Sequence, residues 1–164
     1  MYAIWLLFEK NDEKYIAKII SEISKQYESP IFIPHITAYG LIDVKFEIID
    51  KVILDSIKNT KSFNIEKNSI SFSGDFWKTL FIDFNSNSSM LKINKNLVKH
   101  LSSFTRYEFK PHTSLIYKEM NQEEKQKLVN KIDIKNNFKI TRIGILEFSE
   151  SIKEWKIIQE YSLD

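Results

Sequence analysis

One short pattern occurs twice in the chain, F-x-P-H-x-[ST], first at Phe32–Thr37 and again at Phe109–Ser114. The two histidines, His35 and His112, are 77 residues apart, so each half of the chain carries one copy. Two of only three prolines stand directly before two of only three histidines, which is hard to attribute to chance. The repeat therefore predicts two similar halves, each holding its histidine in a similar strand setting.

The hydrophobic pattern between and around these copies alternates strands with helices, which predicts a mixed α+β fold. No Pro/Gly/Ser-rich linker divides residues 1–164, so we expect a single domain. Two of the predicted strands form a hairpin around Gly74-Asp75. The predicted helices are Glu13–Tyr27, Phe46–Ile57, Met90–Leu101 and Glu123–Lys131. The predicted strands are Tyr2–Phe8, Ile31–Tyr39, Phe63–Ser73, Trp77–Phe84, Pro111–Tyr117, Phe138–Phe148 and Trp155–Leu163.

Composition excludes several classes of protein. The net charge of +2 is spread along the chain, which argues against a duplex-binding surface but leaves a small anionic ligand open. The absence of cysteine excludes disulfides, thiolate metal sites and a cysteine nucleophile, and is compatible with a reducing compartment. The first apolar run, Ala3–Phe8, is too short for a signal peptide or membrane span. We therefore expect a cytoplasmic protein that does not enter membranes.

Within each copy, the histidine and the hydroxyl residue are two positions apart. Alternate residues of a strand point to the same side, so His35 should project with Thr37, and His112 with Ser114. If the two strands lie side by side, two imidazoles and two hydroxyls meet around one small volume.

Such a set of groups suits phosphodiester hydrolysis. A neutral imidazole can take a proton from water while a protonated one gives a proton to the leaving oxygen, because the ordinary pKa of histidine, about 6.5, lies near neutrality. Each such proton transfer typically contributes ~10²–10⁴-fold to the rate. Thr37 and Ser114 would donate hydrogen bonds to the phosphate oxygens. With three glycines and no glycine-rich phosphate loop, the chain has to hold the anion with side chains.

The duplicated motif resembles that of the two-histidine (2H) phosphoesterases, which are defined by two H-x-[ST] motifs. Within this superfamily the chain is most similar to the cyclic phosphodiesterases of plant and yeast type. Their first strand carries a tryptophan, as Trp5 does here, and their second motif reads like Pro111–Tyr117. The resemblance implies a bilobal α+β fold with pseudo-two-fold symmetry, in which antiparallel sheets line a central cleft and helices lie outside.

It also implies an activity. The expected reaction is hydrolysis of a nucleoside 2′,3′-cyclic phosphate or of ADP-ribose 1″,2″-cyclic phosphate, without a metal or other cofactor, by a monomer. His35 and His112 would be the acid and base, with the analogy favouring His112 as base, and Thr37 and Ser114 would bind the phosphate.

Two aromatic residues enter the expected site through the same resemblance. Trp5 would stack on a ring of the substrate, and Tyr117 would line the site. Because Tyr117 is five residues after His112, strict alternation would send its side chain to the side opposite the histidine. The strand therefore has to end or bulge before Tyr117 if this residue is to line the site.

The remaining conspicuous residues receive structural interpretations. Phe76 and Trp77 are expected in the core, and His100 is expected to be solvated on its helix. Three basic residues are expected to serve only as exposed charge: Lys78, Arg106 and Lys110.

Other functions stay open at this point. The same chemistry could act on RNA ends, 2′-5′-linked oligonucleotides or cyclic dinucleotides, although the short chain and weak charge favour a small ligand. A fold that binds a nucleotide or an RNA end without turnover is a further alternative. A structural domain with incidental histidines would place the two imidazoles far apart.

Overall fold

The computed structural model describes all 164 residues, and it contains seven strands, four α-helices and two short 3-10 turns. The strands are β1 (Tyr2–Phe8), β2 (Ile36–Ile42), β3 (Phe63–Phe72), β4 (Leu80–Phe84), β5 (His112–Ile116), β6 (Asn137–Glu147) and β7 (Lys156–Ser162). The helices are α1 (Lys10–Tyr27), α2 (Phe46–Ser56), α3 (Ser88–Leu101) and α4 (Gln122–Lys131). The 3-10 turns are Phe76–Lys78 and Ile152–Glu154. The predicted α+β class is confirmed, and none of the helices combines the length and the apolar composition that a membrane span requires.

All strand pairs are antiparallel, and the strands follow the order β2-β1-β6-β3-β4-β5, with β7 also paired to β6. The two strand pairs that carry the motifs, β1–β2 and β4–β5, therefore lie toward opposite ends, joined by β6 and β3. Their registers are equivalent, because Trp5 lies opposite Thr37 and Phe81 lies opposite Ser114. The chain thus forms the expected two lobes with internal pseudo-symmetry.

The two faces of β1 serve different purposes. Ile4, Leu6 and Phe8 belong to the main hydrophobic core, whereas Trp5 and its alternate neighbours pack in a separate small cluster with Leu146. Because successive strand residues point to opposite sides, the helices cover one face while the other is left for the cleft.

The helices bind the lobes to each other. Helix α1 follows β1 in the chain but packs against β5 as well as β1, and α3 follows β4 but packs against β2 and α2. In α1 the buried residues Ile16, Ile20 and Ile23 recur at helical spacing, which provides one apolar face for this contact.

Two predicted strand starts are wrong. Strand β2 begins at Ile36 instead of Ile31, because its pairing with β1 starts there and Pro34 has no N–H to donate. Strand β4 begins at Leu80 instead of Trp77. The side chain of Asp75 accepts a hydrogen bond from the Trp77 N–H at 2.9 Å, and this turns the chain before the strand starts.

Candidate active site

The two sequence motifs meet in one cleft of about 420 Å³. Both histidines, His35 and His112, line it together with the motif hydroxyl residues Thr37 and Ser114. The motifs also touch directly, because the hydroxyl of buried Thr113 donates a hydrogen bond of 2.9 Å to the His35 carbonyl. Histidines that were only incidental to the fold were expected to lie far apart, and the structure contradicts that alternative.

Each imidazole is held by the same local hydrogen bond. Nδ1 of His35 lies 2.6 Å from the Ile33 carbonyl, and Nδ1 of His112 lies 2.7 Å from the Lys110 carbonyl. A carbonyl only accepts, so Nδ1 carries the hydrogen in both rings and Nε2 remains for the substrate. The acceptor is two residues before the histidine in both copies, so the repeated x-Pro-His sequence produces two equivalent ring orientations.

The first imidazole is deeply buried. His35 is 5% exposed, and its ring stacks on the indole of Trp5 with 3.5 Å between centroids and 9° between planes. Burial lowers the pKa of His35 to about 3, because the imidazolium loses its hydration. The Ile33 carbonyl opposes this shift, and the charge of His112 adds to it. At neutral pH His35 is therefore an uncharged imidazole.

The second imidazole has a more polar setting. His112 is half-buried, and burial lowers its pKa. The nearby ammonium of Lys78 lowers this pKa further, while the Lys110 carbonyl and the carboxylates of Asp83 and Asp75 raise it. The two rings are thus anchored by the same local hydrogen bond but differ in how readily they take a proton.

The two hydroxyl residues differ in their present partners. Thr37 lies on β2 within the cleft, and its backbone carbonyl accepts a hydrogen bond from the Tyr107 hydroxyl at 3.3 Å. The Ser114 hydroxyl donates to the Trp77 carbonyl at 2.7 Å. To donate to a phosphate oxygen, the Ser114 hydroxyl has to rotate away from that carbonyl.

Tyr117 lies in the cleft, as the sequence led us to expect. Strand β5 ends at Ile116, so Tyr117 is free of the strand alternation. Its ring packs at 5.3 Å from Trp77 and 5.6 Å from Trp155, and burial raises the pKa of its hydroxyl, an effect that the nearby Ser114 side chain partly opposes. Its role toward a substrate stays a prediction.

Trp5 also lines the cleft, but the structure does not suit the stacking role expected for it. Trp5 is 2% exposed, and one face of its indole is covered by the His35 ring. No face remains free for a ring of the substrate. Trp5 instead supports the imidazole.

Trp77 is one of the site residues that sequence reasoning missed. It was expected in the core, but it is 43% exposed, lines the cleft and stacks on Trp155 at 5.8 Å with 21° between planes. The usable signal was the Asp75-x-Trp77 spacing, since an aspartate often bonds the backbone two residues later and starts a turn. Lys78 and Lys110, expected as simple surface charge, also line the cleft. His100 is exposed on α3 outside the cleft, as predicted.

Comparisons with known proteins agree with this geometry. The family described as cyclic phosphodiesterase-like protein matches residues 1–163. The cyclic phosphodiesterase of Arabidopsis thaliana is 21% identical over 126 residues, which cover 77% of this chain and 70% of that protein.

Among solved structures, E. coli LigT complexed with 3′-AMP has a TM-score of 0.66 at 10% identity, and TT0787 of Thermus thermophilus has 0.69 at 8%. Each alignment covers 99% of this chain and 97% of the other, so the fold is shared from end to end. The chain therefore belongs to the cyclic phosphodiesterase-like family of the 2H phosphoesterase superfamily, and its function is that of a phosphoesterase.

Proposed function

We propose that this protein is a metal-independent cyclic phosphodiesterase that hydrolyses a nucleoside 2′,3′-cyclic phosphate or ADP-ribose 1″,2″-cyclic phosphate. The observation that carries the proposal is the pair of imidazoles, His35 and His112, both anchored through Nδ1 and both lining one cleft. Together they provide the two proton transfers that hydrolysis needs. The cleft volume of about 420 Å³ falls within the roughly 300–1,000 Å³ of small-ligand sites, which favours a nucleotide over folded RNA.

The reaction proceeds by attack of water on phosphorus. One imidazole takes a proton from the water as its oxygen bonds to phosphorus, and the other gives a proton to the ribose oxygen as its bond to phosphorus breaks. The product is a phosphomonoester, and proton exchange with solvent restores both rings. Thr37 and Ser114 donate hydrogen bonds to the non-bridging oxygens, where negative charge builds in the transition state.

We assign the base to His35 and the acid to His112, which reverses the assignment favoured by family analogy. A base has to be uncharged before the reaction, and burial against Trp5 keeps His35 uncharged. An acid has to hold a proton. Burial lowers the pKa of His112 as well, but the Lys110 carbonyl and the carboxylates of Asp83 and Asp75 oppose that shift. Of the two rings, His112 therefore holds a proton more readily than the deeply buried His35.

Trp77 supplies a surface on which the nucleobase of the substrate can stack. Its ring is exposed within the cleft and is backed by Trp155, so a planar base can stack on it. Such stacking is worth ~1–3 kcal/mol for each base. E. coli LigT, which shares the fold, was solved with 3′-AMP, NADP+ and ATP, and this supports a nucleotide as the ligand.

The test is incubation with a panel of substrates, with products identified by mass spectrometry. The panel contains 2′,3′-cyclic nucleotides, ADP-ribose 1″,2″-cyclic phosphate, cyclic dinucleotides and 2′-5′-linked oligonucleotides, each in ¹⁸O-labelled water. We expect one labelled oxygen in the product phosphate of a cyclic phosphate, and unchanged rates with a chelator.

The histidines allow a matched control. His35→Ala and His112→Ala should each lose about 10²–10⁴-fold in kcat/KM. His100→Ala should retain full activity, because His100 is exposed outside the cleft. Full activity in either cleft variant would refute the mechanism. A cyclic phosphate that protects against melting but is recovered unchanged would identify a binding module instead.

A further inference from the structure

Lys78 has a fixed position beside the second histidine. It ends the 3-10 turn Phe76–Lys78, where its N–H donates to the Asp75 carbonyl at 2.9 Å and its own carbonyl accepts from the Ser73 hydroxyl at 2.7 Å. Its ammonium lies 4.5 Å from the centre of the Phe81 ring. An ammonium this close to an aromatic face is attracted by the ring quadrupole, so the charge is held in place rather than free in solvent.

The same phenyl ring also supports the catalytic apparatus. The edge-to-face contact between Phe81 and His112 has 5.6 Å between ring centroids, and Phe81 lies opposite Ser114 in the β4–β5 register. The ammonium of Lys78 and the imidazole of His112 therefore rest on one ring. Their closeness is also seen in the pKa of His112, which the charge of Lys78 lowers.

Lys78 is also the cleft cation that lacks a carboxylate partner. The cleft contains two lysines, Lys78 and Lys110, and Lys110 forms an ion pair of 3.3 Å with Glu108. None of the ion pairs in the structure includes Lys78. A half-buried positive charge without a counterion, next to an imidazole and a hydroxyl, is arranged to receive an anion.

We propose that Lys78 is a third phosphate-binding residue, whose ammonium contacts a non-bridging oxygen of the phosphoryl group on the His112 side. This inference rests on the proposed function, since it concerns the same phosphate. Lys78 transfers no proton in the reaction. It stabilises the negative charge on the phosphoryl oxygens, which increases as water adds to phosphorus, and so supplements the hydroxyls of Thr37 and Ser114.

The first test compares kcat/KM for adenosine 2′,3′-cyclic phosphate among lysine variants. Lys78→Met should lose about 10- to 100-fold, less than the ~10²–10³-fold that an aligned oxyanion donor provides. Lys78→Arg keeps the charge and should recover most of that loss. Lys127→Met removes one charge from an exposed site on α4 and should match the wild type. Equal activity of Lys78→Met and wild type, or equal losses in the Met and Arg variants, would overturn the proposal.

The second test needs no turnover. The chain has only three histidines, so their ring protons can be assigned by NMR with the three histidine-to-alanine variants. In Lys78→Met the pKa of His112 should rise, because Lys78 is the positive neighbour that lowers it, while Asp75, Asp83 and the Lys110 carbonyl remain.

Inorganic phosphate should shift the His112 resonance, and this shift gives the Kd for phosphate. The Kd should be several-fold higher in Lys78→Met and unchanged in Lys127→Met. If no substrate is turned over but phosphate binding depends on Lys78, the proposed activity fails and the phosphate-binding role stands. If turnover is normal in Lys78→Met, or its phosphate affinity and His112 pKa match the wild type, the role of Lys78 is refuted. Lys78→Gln replaces the Met variant if the latter does not fold.

Discussion

The indole of Trp5 and the imidazole of His35 stack nearly parallel, with 9° between their planes and 3.5 Å between their ring centroids. This contact buries the imidazole, fixes its plane and excludes water from one of its faces. The resemblance to cyclic phosphodiesterases pointed to a tryptophan at this position, and the structure shows that it acts on the histidine.

Trp5→Leu should therefore change both stability and titration. Removing the buried indole should lower the free energy of unfolding by about 2–4 kcal/mol, as measured by urea denaturation. The pKa of His35, followed by NMR, should rise from about 3 toward 6.5, because water regains access to the ring.

Trp77→Leu is the matched control for that variant. Trp77 is 43% exposed, so its replacement should leave the stability and the His35 titration nearly unchanged. It should instead raise KM for a nucleotide substrate, through the loss of base stacking. A Trp5→Leu protein with wild-type stability and an unshifted His35 would contradict the supporting role of Trp5.

Stability should fall as the solution becomes acidic, partly because of His35. Its folded-state pKa, about 3, lies below its unfolded value of 6.5, so the unfolded chain binds the proton first. The stabilisation is complete above pH 6.5 and is lost as the pH falls toward 3. Between pH 7 and 4 the loss should be on the order of 3 kcal/mol.

Urea unfolding at several pH values checks this expectation, with His35→Gln and His100→Gln as the pair of variants. His35→Gln should reduce the loss of stability over that interval by about 3 kcal/mol, whereas His100→Gln should keep it. Identical slopes for wild type and His35→Gln would show that burial of His35 is not the cause.

An activated leaving group distinguishes the acid from the base. A p-nitrophenyl phosphodiester of a nucleoside releases a weakly basic phenolate that needs no proton, whereas a ribose oxygen does need one. His112→Ala should therefore lose far less kcat/KM on the aryl ester than on the cyclic phosphate, and His35→Ala should lose about equally on both. If His35→Ala is instead the variant that loses less kcat/KM on the aryl ester than on the cyclic phosphate, the two roles are exchanged.

The hydrogen bond between Thr113 and the His35 carbonyl should hold the two motifs together. Thr113→Val keeps the shape of the side chain but leaves a buried carbonyl without its partner, which should cost about 1–3 kcal/mol of stability. It should also lower kcat/KM, because the imidazoles are no longer held in register. Thr113→Ser keeps the hydroxyl and should behave like the wild type; equal stability of the Val variant would exclude this function for the bond.

The sequence predicted those parts of the site that depend on local pattern. The duplicated motif identified His35 and His112, and strand alternation placed Thr37 on the same side as His35 and Ser114 on the same side as His112, as the cleft lining has them. The apolar run Tyr2–Phe8 became β1 with the predicted ends. In each case, hydrophobic periodicity and one repeated local conformation were enough.

Other parts of the site were missed, either because strand propensity outweighed a local turn signal or because the deciding contact comes from a distant segment. Trp77 has strong strand propensity, but the hydrogen bond that its N–H donates to the Asp75 side chain turns its backbone out of the strand. The ring that covers Trp5 belongs to His35, which lies in a different segment of the chain. Periodicity therefore predicted the side of the strand on which Trp5 lies but not the residue that packs on it. Lys78 could not be told from the other lysines, because its place beside His112 depends on the pairing of β4 with β5, which brings Phe81 against the His112 ring.

The crossed packing of helices α1 and α3 has a consequence for how the molecule assembles. Helix α1 covers β5 from the other half of the chain, and α3 in turn covers β2. Each half therefore lacks part of its own cover, and a fragment ending between α2 and β3 would leave β2 without α3 and α1 without β5, which would expose apolar surface.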